Sequence, residues 1–438
     1  MILAGMNVVR LNFSHGDFSS HKETIKKIRA ASQATSKRVA IMADLPGPKM
    51  RVGELSEETV ELKSGQVFAL TTEDIVGDTN RVSVSFSGLP QAVSPGDKLF
   101  LNDGYIQLEV TNVAANDVRC RVLVGGRLRS RKGLNLPGID LGISAFTKHD
   151  HECLKFAMEN GVDAVSQSFV ETGADIEAVR DAAAQLGCRP FIIAKIERAG
   201  ARKNLESILN AADGIMIARG DLGVEIPIEQ IAVAQKSIMR RANMMGKPVI
   251  TATQMLESMT ANSRPTRAES TDVANAILDG TDCVMLSGES AMGLFPVEAV
   301  AMLARIAAAT EPHRPVYSLQ QALHNKMDEI KVNIQDLIAL CVETTLNRTT
   351  PAGVIVPTHT GATARNIARF KLPVWITAVS SQKKTCQHLM FSYGVFPVHE
   401  SEHPEDWRTW TRNWLQTQKV DGDLVVLTEG PSSRHPER

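Results

Sequence analysis

The chain has 438 residues, roughly three domains at about 150 residues each, enough to bury several cores. Its 48 Lys and Arg against 49 Asp and Glu leave a formal charge of −1, so no global field draws nucleic acid or an anionic membrane. With 43% hydrophobic and 22% charged residues, long disorder, collagen and disulfide scaffolds are excluded as the main architecture.

The six cysteines contain no C-x-x-C pair and no zinc-ligand spacing, which reads as reduced thiols. No apolar run approaches the roughly 18 residues of a membrane helix, and the start MILAGMNVVR lacks the marks of a signal peptide. The expected location is the cytoplasm, with no nucleic-acid or membrane partner.

In chain order, Ile2 to Gly5 reads as the last turn of a helix stopped by Gly5. Apolar runs then end in polar residues and lead into helical periodicity: Asn7 to Leu11, Val39 to Asp44, Val162 to Phe169, Phe191 to Glu197, Gly214 to Asp221, Pro248 to Gln254 and Cys283 to Ser290. Helices are expected at Asp175 to Leu186 and Ile228 to Met245. Runs apolar on both faces fit a parallel sheet, and this many βα units predict an α/β chain built on a (β/α)8 TIM barrel whose first strand would lie before residue 1.

Residues 1–45 and 144–310 are assigned to that barrel, interrupted by an inserted all-β lid over 46–143. The lid's strands are expected at Val60 to Leu62, Val67 to Leu70, Arg81 to Phe86 and Asp117 to Val124, with Gly- and Asp-rich turns between them. Glu311 to Pro315 reads as a linker into a C-terminal α/β domain over 311–438. Its strands are expected at Gly353 to Thr358, Val374 to Ser380, Gly394 to Val398 and Leu424 to Glu429, before a frayed tail from Pro431.

Barrel active sites lie at the C-terminal strand ends, where this chain carries Arg10, Asn12, Ser14, Asp44, Ser168, Lys195, Glu197, Arg219, Asp221, Thr253, Ser287 and Glu289. Alternation puts Lys195 and Glu197 on one strand face. Alone such a pair is an ordinary ion pair; beside Asp221, two carboxylates with open positions suit Mg2+ or Mn2+. Thr253 alone would cap a helix starting near Gln254, and Ser14 and Ser287 likewise read as caps. Arg10 in the barrel mouth asks for a phosphate or carboxylate, since otherwise it is an unpaired buried charge.

In the C-terminal domain, Thr358-His359-Thr360-Gly361-Ala362-Thr363 follows a strand and opens a helix, a place that suits a phosphate or is simply a capped turn. Trp407, Trp410 and Trp414 fall at helical spacing and read as a packed face. His388, His399, His403 and His435 form no metal spacing.

Taken together, Asn7-Val8-Val9-Arg10-Leu11-Asn12-Phe13-Ser14-His15-Gly16, Ile193-Ala194-Lys195-Ile196-Glu197, MIARGDLGVEI over 216–226, ATQMLESM over 252–259 and MLSGES over 285–290 resemble the pyruvate kinase family, bacterial type. The ordered combination is specific although each piece is short. The resemblance implies phosphoryl transfer from phosphoenolpyruvate to ADP, giving pyruvate and ATP. It implies that Glu197 and Asp221 hold Mg2+ (or Mn2+), that Lys195 neutralises the moving phosphoryl group, that Arg10 and Arg51 clamp phosphates, and that Thr253 helps deliver a proton.

By the same resemblance Gly220 and Ser287 join the substrate site. Asn12, Ser14, His15, Arg51 and Lys132 meet the nucleotide, with Lys132 and Asp103 carried on the lid. The loop Thr358, Thr360, Gly361, Ala362, Thr363 takes a sugar-phosphate or AMP effector, and the assembly is a homotetramer. Members that need K+ bind it with residues matching Asn12, Ser14, Asp44 and Leu45 and carry glutamate where this chain has Lys49. Lys49 therefore resembles the potassium-independent branch, its ammonium replacing K+. The alternatives weighed are a catalytically weak or inactive truncated subunit with a regulatory or assembly role, and a metal-dependent barrel aldolase.

Overall fold

The structure, a computed structural model, describes residues 1–139, 142–314, 334–402 and 404–428. His403, His435, Pro315 of the expected linker, Glu429 and the tail from Pro431 lie outside the described residues.

The apolar runs form the expected strands: β1 (Val8–Asn12) and β2 (Ala40–Leu45), each shifted one residue along the chain from the expectation, and, after the insertion, five more, each ending short of its expected C-terminal bound. The insertion holds β3 (Val60–Leu62), β4 (Val67–Thr71), β5 (Arg81–Ser83), β6 (Lys98–Leu101), β7 (Ile106–Val113), β8 (Asp117–Val124), β9 (Gly126–Leu128) and β10 (Leu134–Asn135). Then come β11 (Ala164–Gln167), β12 (Phe191–Ile196), β13 (Gly214–Ala218), β14 (Val249–Ala252) and β15 (Cys283–Met285). These last five join β1 and β2 in one curled parallel sheet, in the sequential order β1-β2-β11-β12-β13-β14-β15.

Period-two alternation decides which residues point where. Leu11, Ile41, Ala43, Leu45, Val165, Ile192, Ala194 and Ile215 pack outward against the surrounding helices. Ala40, Met42, Ala164, Phe191, Ile193, Met216, Ile250 and Ala252 fill the inside. Each inner row starts apolar and turns polar at its C-terminal end, so one mouth of the sheet is greasy and closed while the other carries charge.

Two helix expectations are corrected. Helix Ile231–Met244 is preceded by a separate 3-10 turn, Ile228–Gln230, behind Pro227. No helix begins at Gln254: Thr253 and Gln254 have φ of 70° and 53°, and the next helical turn is Glu257–Thr260. At the start, Ile2–Ala4 is a 3-10 turn ended by Gly5 at φ 120°, where a Cβ would lie 3.0 Å from that of Ala304.

The insertion is a six-stranded sheet, β10-β6-β7-β8-β4-β5, beside the pair β3-β9, around its own core that includes Phe68, Leu70, Leu99, Ile106, Leu108 and Val122. It is not purely β: Leu89–Ala92 is a one-turn helix with Pro90 as its second residue, a residue suited to a first helical turn. Among the described residues the C-terminal region has four parallel strands, β16 (Gly353–Pro357), β17 (Ile376–Ser380), β18 (Val395–His399) and β19 (Val425–Leu427), in the order β18-β17-β16-β19. The expected tryptophan face sits on helix Trp407–Gln418, with the Trp410 and Trp414 rings stacked at 5.6 Å.

The closed mouth of the barrel is sealed by this C-terminal region. Phe391 is fully buried among the inner barrel residues and stacks on Phe191 at 5.4 Å. Around it, Lys371 pairs with Asp282 at 2.6 Å in a buried contact, and the Tyr393 N–H donates to Asp282 at 3.0 Å.

Candidate active site

Strand register assembles the open mouth. Asn12 lies opposite Asp44 on β2, and Asp44 lies opposite Ser166 on β11, so Arg10, two residues back on the same face as Asn12, reaches Asp44 diagonally. Arg10 Nε donates to Asp44 at 2.8 Å, and the Ser166 hydroxyl donates to the other Asp44 oxygen at 2.7 Å. This corrects the expectation for Arg10: its guanidinium has a counterion within the protein, and its side chain is 23% exposed at the mouth.

Lys195, on the next strand, donates to the Ser168 hydroxyl at 2.7 Å and stands 3.5 Å from Asp44 and 3.2 Å from Glu197. The expected convergence of Lys195 and Glu197 is therefore present. Burial pulls the ammonium pKa down, but Asp44 and Glu197 more than offset this and hold it above its ordinary value. Asp44 is pushed up by burial and brought below the usual carboxylate range by Lys195 and Arg10.

Glu197 behaves in the opposite way. Burial drives its pKa up, Lys195 opposes this only in part, and Asp221 adds to the rise. One oxygen accepts the Phe169 N–H at 2.7 Å; the other, Oε2, is buried without a hydrogen bond. Asp221 sits in the first turn of helix Arg219–Glu225, directly after β13, and is half-buried. Glu197 keeps an oxygen with no hydrogen bond, 3.2 Å from the Lys195 ammonium, and with Asp221 it forms a pair of carboxylates whose chemistry suits a divalent cation. Among the described residues no cluster of three or more His, Cys, Asp or Glu gathers for a metal, so any ion here keeps open positions.

Thr253 is not a cap. It holds a left-handed backbone, a costly conformation for a β-branched residue, and its hydroxyl accepts the Gly220 N–H at 2.8 Å while donating to Ala252 O at 2.6 Å. The clamp that imposes this is Arg219, which donates to Ala252 O at 3.2 Å and Thr253 O at 2.7 Å and pairs with Asp272 at 2.7 Å. Sequence reasoning named Arg219 without giving it this task. It also missed Ser166 and the latch at Arg198, which pairs with Glu171 at 2.8 Å and donates to Ile139 O at 2.9 Å, where the insertion returns to the barrel.

The remaining candidates are spread around the mouth. The Ser14 N–H donates to the Asn12 side chain at 3.1 Å and Asp17 caps the following helix, so Ser14 is not its cap. His15 is exposed. Ser287 occupies an N-cap position without a side-chain cap bond; its N–H donates to Glu289, whose other oxygen accepts the Leu256 N–H, making Glu289 a buried loop brace. On the insertion, Arg51 donates to Arg131 O at 2.9 Å, and Lys132 is half-buried. Asp103 is exposed beside Gly104, where a Cβ would touch Val224 of the barrel at 3.5 Å. Lys49 is exposed, with no ion pair among the described residues. In the C-terminal loop, Gly361 is left-handed at φ 81°, and the N–H groups of Gly361 and Ala362 donate to the Thr358 and Thr360 hydroxyls.

Comparison with known proteins gives one consistent result. Residues 1–300 match the family model described as pyruvate kinase, barrel domain, and residues 336–437 the one described as pyruvate kinase, alpha/beta domain. A pyruvate kinase of Thermococcus litoralis is 48% identical across 98% of this chain and 91% of its own length. One from Geobacillus stearothermophilus is 40% identical across 98% of this chain and 73% of its own. The crystal structure of a pyruvate kinase from Cryptosporidium parvum superposes with a TM-score of 0.92 at 37% identity, covering 98% of this chain and 90% of that one. Agreement in fold, in the order of the two matched regions and in nearly full-length identity leads to one conclusion: the chain belongs to the pyruvate kinase family.

Proposed function

We propose that this chain moves the phosphoryl group of phosphoenolpyruvate to ADP, yielding pyruvate and ATP. The observation that carries the reading is the charged strand-end cluster of Arg10, Asp44, Lys195 and Glu197 in a chain of this family. Nothing in that cluster favours the inactive-subunit alternative.

Phosphoryl transfer is largely positioning and charge neutralisation. Asp44 anchors both cations: it fixes the Arg10 fork toward the mouth and keeps Lys195 charged and aimed by Ser168. These two groups neutralise the phosphoryl oxygens as the bond from phosphorus to the enol oxygen breaks and one to a terminal ADP oxygen forms. Glu197 and Asp221 are the residues that would hold Mg2+ or Mn2+, which, when bound, spreads the charge of the substrate oxygens. The enolate left behind takes a proton at its methylene carbon, and Thr253, its hydroxyl held between Gly220 and Ala252, positions that delivery. Gly220 and Ser287 line the substrate side; Asn12, Ser14, His15, Arg51, Lys132 and Asp103 are assigned to the nucleotide side.

Three further parts belong to the same reading. Lys49, five residues past Asp44, supplies the positive charge that K+ gives other members. The crevice between β16 and β19, where the strand order reverses, is the usual ligand position in an open α/β sheet, and the loop Thr358–Thr363 borders it, which supports a sugar-phosphate or AMP effector there. A cytoplasmic homotetramer completes the picture; no helix among the described residues is long and apolar enough to cross a membrane.

The test is phosphorus NMR of the chain with phosphoenolpyruvate, ADP and Mg2+. Loss of the enol phosphate signal matched by growth of the ATP γ-phosphate supports the reading. Release of inorganic phosphate instead would refute it.

A further inference from the structure

Gln167, the last residue of β11, faces away from the mouth. Register sets it beside Leu45 on β2 and Ala194 on β12, both in the outer apolar layer, so its side chain lies toward the helices and not toward the reacting groups. It is fully buried, a place where a polar side chain is costly unless it is hydrogen-bonded. Its Nε2 donates to Ala145 O at 2.7 Å and to Ser168 O at 3.0 Å. Two carbonyl acceptors fix the orientation of the amide, and Oε1 is left without a hydrogen bond among the described residues.

The Ser168–Phe169 peptide that Gln167 holds carries a second local cost. Phe169 is left-handed at φ 60°, an unfavourable backbone for a bulky side chain. Gly47, where the chain leaves β2 for the insertion, closes on the same peptide: a Cβ there would lie 3.1 Å from Ser168 O and 2.9 Å from the Phe169 ring. The Gly47 N–H is itself held by Asp150 at 2.9 Å. An unpaired buried acceptor and a left-handed phenylalanine thus meet at one peptide, and such departures persist where the surroundings over-determine them, characteristically at functional sites.

The two residues of that peptide reach the charged cluster. The Phe169 N–H donates to Glu197 at 2.7 Å, and the Ser168 hydroxyl accepts from the Lys195 ammonium at 2.7 Å. One locked peptide therefore orients a carboxylate and a cation together.

We propose that Gln167 is a positioning residue: by holding Ser168 O it keeps the Phe169 N–H on Glu197 and so sets that carboxylate for a divalent cation. Gln167 itself stands behind the site, and its role rests on the reading of Glu197 and Asp221 as the cation's ligands. Groups that orient a metal ligand from behind commonly change metal affinity about 10- to 100-fold when lost.

The test is electron paramagnetic resonance of Mn2+ titrated into the full chain without phosphoenolpyruvate or ADP, with bound ion counted from the loss of the free-ion signal. Glu197→Gln marks which part of the binding belongs to this site. Gln167→Met keeps the length and the apolar packing but cannot donate, and it should weaken Mn2+ about tenfold or more. Adding Phe169→Gly to that variant should recover most of the loss, because glycine adopts a left-handed backbone without being held there; a packing role alone for Gln167 would gain nothing from a change at 169. Gln167→Asn, whose amide is one methylene too short to hold both carbonyls, should behave like Gln167→Met, and either variant decides the matter where the other fails to fold. The proposal is overturned if a folded Gln167 variant binds Mn2+ like the parent, if adding Phe169→Gly recovers nothing, or if the parent binds no Mn2+ that depends on Glu197. Turnover is followed separately: a parent that binds Mn2+ through Glu197 yet leaves phosphoenolpyruvate and ADP unchanged would sink the catalytic reading and leave the role of Gln167 standing.

Discussion

Thr253 concentrates the residue-scale argument, because a β-branched side chain at φ 70° persists only where its surroundings force it. The force here is Arg219, which grips the carbonyls of the two peptides that flank the Thr253 Cα, Ala252 O and Thr253 O. Two truncations separate the strain from the hydroxyl. Thr253→Ala loses the hydroxyl and keeps the strained backbone; Thr253→Gly loses the hydroxyl and relieves the strain. Both should lower kcat about 10²- to 10⁴-fold, the range for a lost proton-transfer group. In chemical denaturation the glycine variant should be the more stable by about 1 kcal/mol, and equal stabilities would contradict the strain. Of this site the sequence disclosed the residue type but not the conformation. A threonine before Gln254 looks like a helix cap until a clamp from another strand end excludes the helical backbone. The internal partner of Arg10 is hidden for a related reason: Asp44 becomes visible only through the register of β1 on β2.

At the scale of elements, the division of each inner barrel row into an apolar start and a polar end was legible, because strands buried on both faces leave long apolar runs and the polar residues interrupt them at one end only. The insertion was less legible. Ile106–Val113 alternates, but two register shifts break its pairing with β8, and β9 and β10, three and two residues long, hold too little pattern to detect. How the barrel floor is sealed could not be read at all, since Phe391 lies far along the chain in another domain. Phe391→Ala should cost about 3 to 5 kcal/mol, as for other fully buried phenylalanines, measured by denaturant unfolding; a loss under about 1 kcal/mol would mean that the floor is not packed as described.

His388 borders the same floor, with its ring 5.5 Å from that of Phe191. Burial lowers its pKa below the ordinary value of 6.5, against the pull of Asp213 and Asp163 and with the help of Arg365. The folded chain thus prefers the neutral ring, and the unfolded chain binds the proton more readily. Stability is fully present above the unfolded pKa and declines as pH falls below about 6.5. Thermal melts between pH 7.5 and 5.5 should show this decline, and His388→Gln should flatten it; a variant with the parent's slope would assign the effect elsewhere.

Across the whole molecule, one parallel sheet carries the charged strand ends at one mouth and has the other closed by a second domain. Lys49 sits where the barrel hands the chain to the insertion, between β2 and β3. Activity should persist without K+, and Lys49→Glu should make it depend on K+. An unmodified chain nearly inactive until K+ is added would refute the replacement.

The central claim is that Lys195 and its carboxylate neighbours perform phosphoryl transfer at the open mouth. A lactate-dehydrogenase-coupled assay with phosphoenolpyruvate, ADP and Mg2+ tests it most directly, run on the 438-residue chain and on Lys195→Ala. The account predicts pyruvate formation that falls about 10²- to 10³-fold or more in the variant, the cost of losing one group that stabilises transition-state charge, while its melting curve shows a folded protein. A folded parent chain that makes no pyruvate, or a folded variant that makes it at the parental rate, would contradict it.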